Sequence, residues 1–235
     1  MQITTIKMIR VLTEIGVPLS IIEELTQDRT PEKLLKLLNK YKNKVNDEIR
    51  FLQEMCSVIS TFTDLLNKAI AATEAEITVA ELQGNRIILG DICDYGNEIG
   101  FIREFISFCS APHTPKLNMS FPVGGYWDSM EAFLKVPSRP ERFFSLDPKG
   151  HERQEAGLYL IGYTHGYYGR TNDLPKRMAA FAEKNGLIFT VAVYNVYLTD
   201  ELSVIDPEKY LLQVSASVME TRRVPSRRPR HHFLP

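Results

Sequence analysis

Between Pro31 and Gly84 the chain contains neither proline nor glycine. Within that run Leu34, Leu38, Tyr41, Val45, Ile49, Leu52, Met55, Ile59, Phe62 and Leu66 follow one another at steps of three or four. Such spacing lays the apolar side chains along one stripe of an α-helix, with lysines, asparagines and glutamates between them. The start is well marked: Thr30 is a good N-cap, Pro31 suits the first helical position, and Glu32 puts an acid in the first turn. A helix over Pro31–Ala71 has 41 residues, about 60 Å at 1.5 Å per residue. That is longer than a domain of this size is wide, so one chain cannot cover the whole stripe by itself. The pattern therefore predicts a homodimer through the 31–71 helix, the alternative being a long helix laid along its own domain.

Ahead of it, "MIRVLTEIGVPLSIIEEL" (Met8–Leu25) reads as two short helices joined by a tight turn. Ile6, Ile9, Val11, Leu12 and Ile15 supply a helical face, Gly16 a stop, and Val17-Pro18-Leu19-Ser20 a new start. This is part of a helix-turn-helix standing at residue 1.

After about Thr73 the period changes. "AEITVAEL", "NRIILGDICDY", "LNMSFPVGGY", "ERFFSLD", "GLYLIGYTHGYY", "LIFTVAVYNVYL" and "KYLLQVSASV" alternate β-branched or aromatic residues with small or polar ones, as strands do. Two amphipathic helices interrupt them, Glu98–Cys109 and Asn172–Gly186, the second opened by Asn172 or Asp173 and closed by Gly186. The order of elements suggests a weak internal duplication. The expected fold class is α+β: a long N-terminal helix, then an antiparallel sheet with one helix per half.

Composition narrows the function classes. The formal net charge is −1, yet the tail "RRVPSRRPRHHFLP" carries five arginines and no acid. Removing that positive charge leaves −6 on the body, which has no field of its own to hold a nucleic acid. The three cysteines, Cys56, Cys93 and Cys109, form neither a disulfide framework nor a metal-ligand pattern, which fits a cytoplasmic protein. No segment approaches the roughly 18 apolar residues of a membrane span. The five histidines show no ligand spacing, so no metal, cofactor or catalytic residue is expected.

"LTEIGVPLSIIEEL", "RTPEKLLKLL" and the long helix together resemble the second half of a MerR-family transcription regulator. The strand-rich half resembles the GyrI-like effector-binding domain of the multidrug-sensing members. It does so through "GLYLIGYTHGYY" (with Gly157, Tyr159, Gly166 and Tyr168), "VYNVYLTDE" (Tyr194–Glu201) and "DPEKYLLQVSASV" (Asp206–Val218). The resemblance implies four parts. Residues 1–30 are the remnant of a DNA-binding domain, 31–73 a coiled-coil dimerisation helix, 74–219 the effector-binding domain, and 220–235 a basic disordered tail. The family's DNA-reading helix would lie upstream of residue 1, so promoter DNA is a partner only where the winged-helix half is present.

A sensor of bulky drug-like molecules needs aromatic faces for stacking and a few polar groups for orientation. The candidates are Tyr126, Trp127, Phe144, Tyr159, Tyr168, Asn195 and Tyr210. Any one of these aromatics taken alone is more often a core filler than a ligand contact. The resemblance lifts Tyr168 and Tyr210, which fall at positions lining the family's ligand cavity. It also implies a buried glutamate in the middle of "VYNVYL", where this chain has Asn195. An amide carries no charge and takes no proton at neutral pH. That substitution weakens a cation-sensing reading and a second one, a GyrI-like small-molecule hydrolase. A DNA-independent ligand-sequestering protein is the third possibility. Asp200 and Glu201, just past the strand, are expected to face solvent.

Overall fold

The computed structural model describes residues 2–74, 76–96, 98–110, 122–147 and 150–220. The chain forms two compact units, Met1–Ser60 and Thr61–Pro235, with the long helix running through the boundary.

In the first unit α1 (Gln2–Glu14) ends at Gly16, whose φ of +85° needs a residue without a Cβ. Next come α2 (Leu19–Gln27) and α3 (Pro31–Ala71). The Thr30 hydroxyl accepts the Lys33 N–H at 3.2 Å, the cap that the sequence called for. Leu12, Val17, Ile22 and Tyr41 form a small core. Beside it Met8, Leu12, Leu25, Pro31 and Leu34 line an open apolar hollow of about 490 Å³. Along α3 the stripe residues Leu38, Val45, Ile49, Leu52 and Met55 stay exposed.

The second unit is α+β. Its order is β1 (Ile77–Leu82), β2 (Asn85–Leu89), α4 (Glu98–Ser110), β3 (Val123–Trp127), α5 (Met130–Lys135), β4 (Arg142–Leu146), β5 (Glu152–Gln154), β6 (Gly157–His165), α6 (Leu174–Asn185), β7 (Leu187–Tyr197) and β8 (Leu211–Glu220). All eight strands join one antiparallel sheet in the order β1-β6-β8-β7-β3-β4-β2-β5. Exchanging β1–β4 with β5–β8 one for one gives the same order read from the other edge. The duplication is therefore a pseudo-twofold whose seam lies between β3 and β7, and α4 and α6 are its equivalent helices.

Side chains alternate across a pleated strand, so the sheet has two distinct faces. One bears Trp127, Leu160, Val193, Leu212, Val214 and Ala216, covered by Phe133 of α5 and by Leu174, Met178 and Ala182 of α6. On the same face α4 sets Phe101, Phe105 and Phe108 against Phe143, with ring centroids 5.5 to 6.2 Å apart. The other face buries Ile87, Phe144, Tyr159, Ile161 and Tyr194. There the end of α3 contributes Leu65, packed with Leu198 and Leu211.

Several local expectations need correction. β2 stops at Leu89, although the sequence reads as strand through Tyr95; beyond it only isolated bonds run beside β4, Gly90 N–H to the Phe143 carbonyl and Cys93 N–H to that of Glu141. α5 has six residues and β5 three, too short to leave a periodic signal. No side-chain cap opens α6, because Asn172 adopts a φ of +48° and turns its amide back to Thr164 Oγ1 and the His165 carbonyl. The expected strand residues 117–121 and the arginine-rich tail lie outside the described residues. Among the described residues no helix is long and apolar enough to cross a membrane.

Candidate functional site

The seam decides where the site residues point. Gly125 pairs with Asn195 and Trp127 with Val193, so Asn195, Trp127 and Gly125 share the helix-bearing face. The Asn195 side-chain carbonyl accepts the Gly125 N–H at 2.6 Å. A Cβ on Gly125 would meet that same oxygen at 2.7 Å and Pro140 at 2.8 Å, and one on Gly124 would meet the Asn195 backbone carbonyl at 2.3 Å. The two glycines are what let β3 approach β7. Asn195 is thus a structural acceptor at the centre of the duplication as well as a polar group on this face. Trp127 is core: it is 1% exposed, donates from Nε1 to the Val136 carbonyl at 3.1 Å, and meets Phe133 edge-on at 4.7 Å.

Beyond Asn195 on the same strand face stands Tyr197, and around it gather Tyr168, Tyr167 and Tyr210. Tyr168 lies 4.8 Å from Tyr197 and 5.6 Å from Tyr210, and Tyr167 lies 5.2 Å from Tyr168. Offset and edge-on arrangements of this kind are the favourable ones for aromatic rings. Backbone geometry allows the cluster: Gly166 and Gly169, with φ of +156° and +83°, fold the loop after β6 back over the sheet. The Tyr197 hydroxyl ties that loop down by donating to the Tyr167 carbonyl and accepting the Gly169 N–H, both at 3.0 Å. Tyr210 is buried, whereas Tyr167 and Tyr168 keep 47% and 40% of their surface exposed.

Glu201 is exposed, as expected, and it also has a partner. Its carboxylate accepts the Tyr168 hydroxyl at 2.6 Å. Burial, reinforced by that bond, pushes the Tyr168 phenol above its usual range, and the same bond holds the Glu201 carboxyl below its own. Burial pushes the Tyr197 phenol up to about 12.

Tyr126, Phe144 and Tyr159 belong to the opposite face. Tyr194 meets Tyr126 at 5.4 Å and Phe144 at 5.2 Å, both edge-on, and Phe144 and Tyr159 are almost wholly buried. The structure therefore joins Tyr168 and Tyr210, places Asn195 on the same face at the seam, and sets Tyr126, Phe144 and Tyr159 on the other. Sequence reasoning counted Tyr167 and Tyr197 only among the many aromatics of this half that could stack on a ligand, and gave Glu201 no role at the cluster. The even spacing of Asn195 and Tyr197 was the available signal for Tyr197; nothing local marks Glu201.

His165, at the root of the same loop, pairs with Glu74 while its side chain stays 41% exposed. Its Nδ1 lies 2.9 Å from Glu74 Oε2, and its N–H donates to Glu74 Oε1 at 3.1 Å. The bond from the His165 side chain is the main cause holding the Glu74 carboxyl below its usual range. No group of three or more His, Cys, Asp or Glu among the described residues could hold a metal ion.

No protein-family model matches the chain. A search of curated proteins finds the multidrug-efflux transporter 2 regulator of Bacillus subtilis (strain 168), 25% identical over 223 residues that cover 91% of this chain and 81% of the relative. Among solved structures the chain resembles EcmrR in a cryo-EM complex with DNA (TM-score 0.45, 15% identity, 94% of this chain and 84% of that one). It also resembles the EcmrR C-terminal domain (0.40, 10%, 62% and 98%) and a hydrolase from Listeria innocua (0.38, 14%, 65% and 96%).

Proposed function

We propose that the chain is a ligand-sensing transcription regulator whose effector site is the tyrosine cluster on the helix-bearing face. Planar, drug-like molecules stack on Tyr168 and Tyr167, backed by Tyr197 and Tyr210, while Asn195 is the neutral polar group at the centre of that face. The observation that carries this reading is the cluster itself: four tyrosines in ring contact, three of them tied by hydrogen bonds and two of them exposed. The similarity to a multidrug-efflux regulator supports the same class of ligand. The working form is a cytoplasmic homodimer joined through the apolar stripe of α3, and operator DNA is bound by the winged-helix half of the family. The protein is not an enzyme: the hydrolytic alternative needs a carboxylate where Asn195 stands.

A fluorescence titration with the neutral dye Nile red and the cationic dye thioflavin T tests the site. Tyr168→Ala is expected to weaken whichever dye binds by about tenfold, ~1.4 kcal/mol, and Tyr126→Ala on the far face by much less. Equal affinity in wild type and Tyr168→Ala would remove the cluster from the ligand site.

A further inference from the structure

Neighbouring residues on a strand point to opposite faces, and this relates the tyrosine cluster to the long helix. Tyr197 and Tyr210 belong to the cluster; Leu198 and Leu211, which directly follow them, pack on Leu65 in the last turns of α3. The two leucines are bonded to each other through the Leu198 N–H and the Leu211 carbonyl at 2.8 Å, and Leu211 N–H donates to Thr199 Oγ1 at 2.7 Å. One stiff ribbon thus has the tyrosines on one side and the seat of the helix on the other.

A second attachment lies three residues beyond the end of α3, at Glu74. The backbone N–H and ring of His165 hold its carboxylate, and Arg177, in the second turn of α6, donates from Nη2 to its carbonyl at 3.0 Å and to that of Tyr163 at 3.3 Å. Asp173 lies 3.8 Å from Arg177 Nη1, and the Arg177 Nε is buried without a hydrogen-bond partner among the described residues. His165 is also where the tyrosine-bearing loop begins. That loop runs from Gly166 to Asn172 and is pinned at its middle by the Tyr197 hydroxyl and at its far end by the Asn172 amide on the His165 carbonyl.

We infer that the Glu74–His165–Arg177 clamp is the link by which the conformation of the tyrosine loop sets the order of the last turns of α3. His165, Glu74 and Arg177 are positioning residues in this scheme and touch no ligand. When the loop is pinned, His165 is fixed and grips Glu74, which holds the helix end on its Leu198–Leu211 seat. When the loop is released, the grip loosens and residues 61–71 fray. The inference rests on the tyrosine cluster being the effector site only for its biological meaning; the mechanical link stands apart from any ligand, and its test uses none.

The test is a double-mutant cycle read by hydrogen exchange on the full chain. Tyr197→Phe keeps the ring and removes the hydroxyl that ties the loop. Glu74→Ala removes the clamp's carboxylate. Amides of Thr61–Ala71 are the reporter, and those of Leu174–Asn185 control for loss of global stability. Tyr197→Phe alone is expected to speed reporter exchange severalfold while leaving α6 unchanged, and to add little once Glu74→Ala is present. Additive effects of the two substitutions, no response to Tyr197→Phe, or an equal rise in α6 would each overturn the link. Should Glu74→Ala not fold, Glu74→Gln completes the same cycle. Loss of dye binding with an intact cycle would sink the effector-site reading and leave the link standing.

Discussion

The two halves of the duplicated sheet use the same strand order, yet their equivalent helices are finished differently. α6 is sealed: Leu174, Met178 and Ala182 have 0 to 1% of their surface exposed, packed on Leu160, Val193 and Leu212. Gly162 of β6 even forgoes a side chain to admit Leu174, whose Cδ1 would lie 2.7 Å from a Cβ there. α4 meets its half through Phe143 and Tyr95, and leaves Ile99, Ile102, Phe105 and Ile106 between 40 and 74% exposed. A repeated topology does not impose repeated packing. The second half is the more completely packed one, and it carries the tyrosine cluster, the Glu74 clamp and the seat of α3.

The largest expected effect tests that contrast directly. Met178→Ala should cost roughly 2–5 kcal/mol, the range for truncating a fully buried large side chain. Ile102→Ala on the exposed face of α4 should stay within about 0.5 kcal/mol. Urea denaturation followed by circular dichroism measures both; comparable losses would mean that α4 is as integral to the core as α6.

The seam comes next in size. Gly125→Ala places a methyl against Asn195 Oδ1 and Pro140, and displacing them should cost about 1–3 kcal/mol by overpacking. The pair Gly125→Ala with Asn195→Ala should cost less than the sum of the singles, since removing the amide frees the space. Strict additivity in the same denaturation assay would show that Asn195 is not what fixes the approach of β3 to β7.

The last effect is at alkaline pH. Burial raises the folded-state pKa of Tyr197 to about 12, above the value of about 10 for an unfolded phenol. The folded form therefore binds its proton more tightly than the unfolded chain does. The resulting stability is fully present below pH 10 and is lost as pH rises from 10 through about 12. Stability measured across that interval should fall less in Tyr197→Phe than in wild type; parallel curves would mean that Tyr197 ionises as freely as an exposed phenol.

Much of the fold was legible in the residues because local rules acted alone. The bounds of α3 follow from Thr30, Pro31 and an unbroken apolar period, and nothing distant competes with them. The strand segments and the two amphipathic helices of the sheet half were visible for the same reason. Periods fail where an element is shorter than its own repeat, as in α5 and β5, and where another part of the chain claims a capping residue, as Thr164 and His165 claim Asn172. The candidate site was legible as a set of residue types but not as a place. Tyr126 and Tyr168 read alike in sequence, and only strand pairing puts one in the Phe144 core and the other beside Tyr197 and Tyr210.

The sequence by itself determined the long helix, the α+β class and the neutral amide at position 195, because each is set by residue identity or by spacing within one segment. Tertiary structure decided which face every aromatic occupies, that Glu201 binds Tyr168, and that Glu74 is gripped by His165 across 91 residues of chain. These depend on strand order and register, and a shift of one residue in register sends each side chain to the other face.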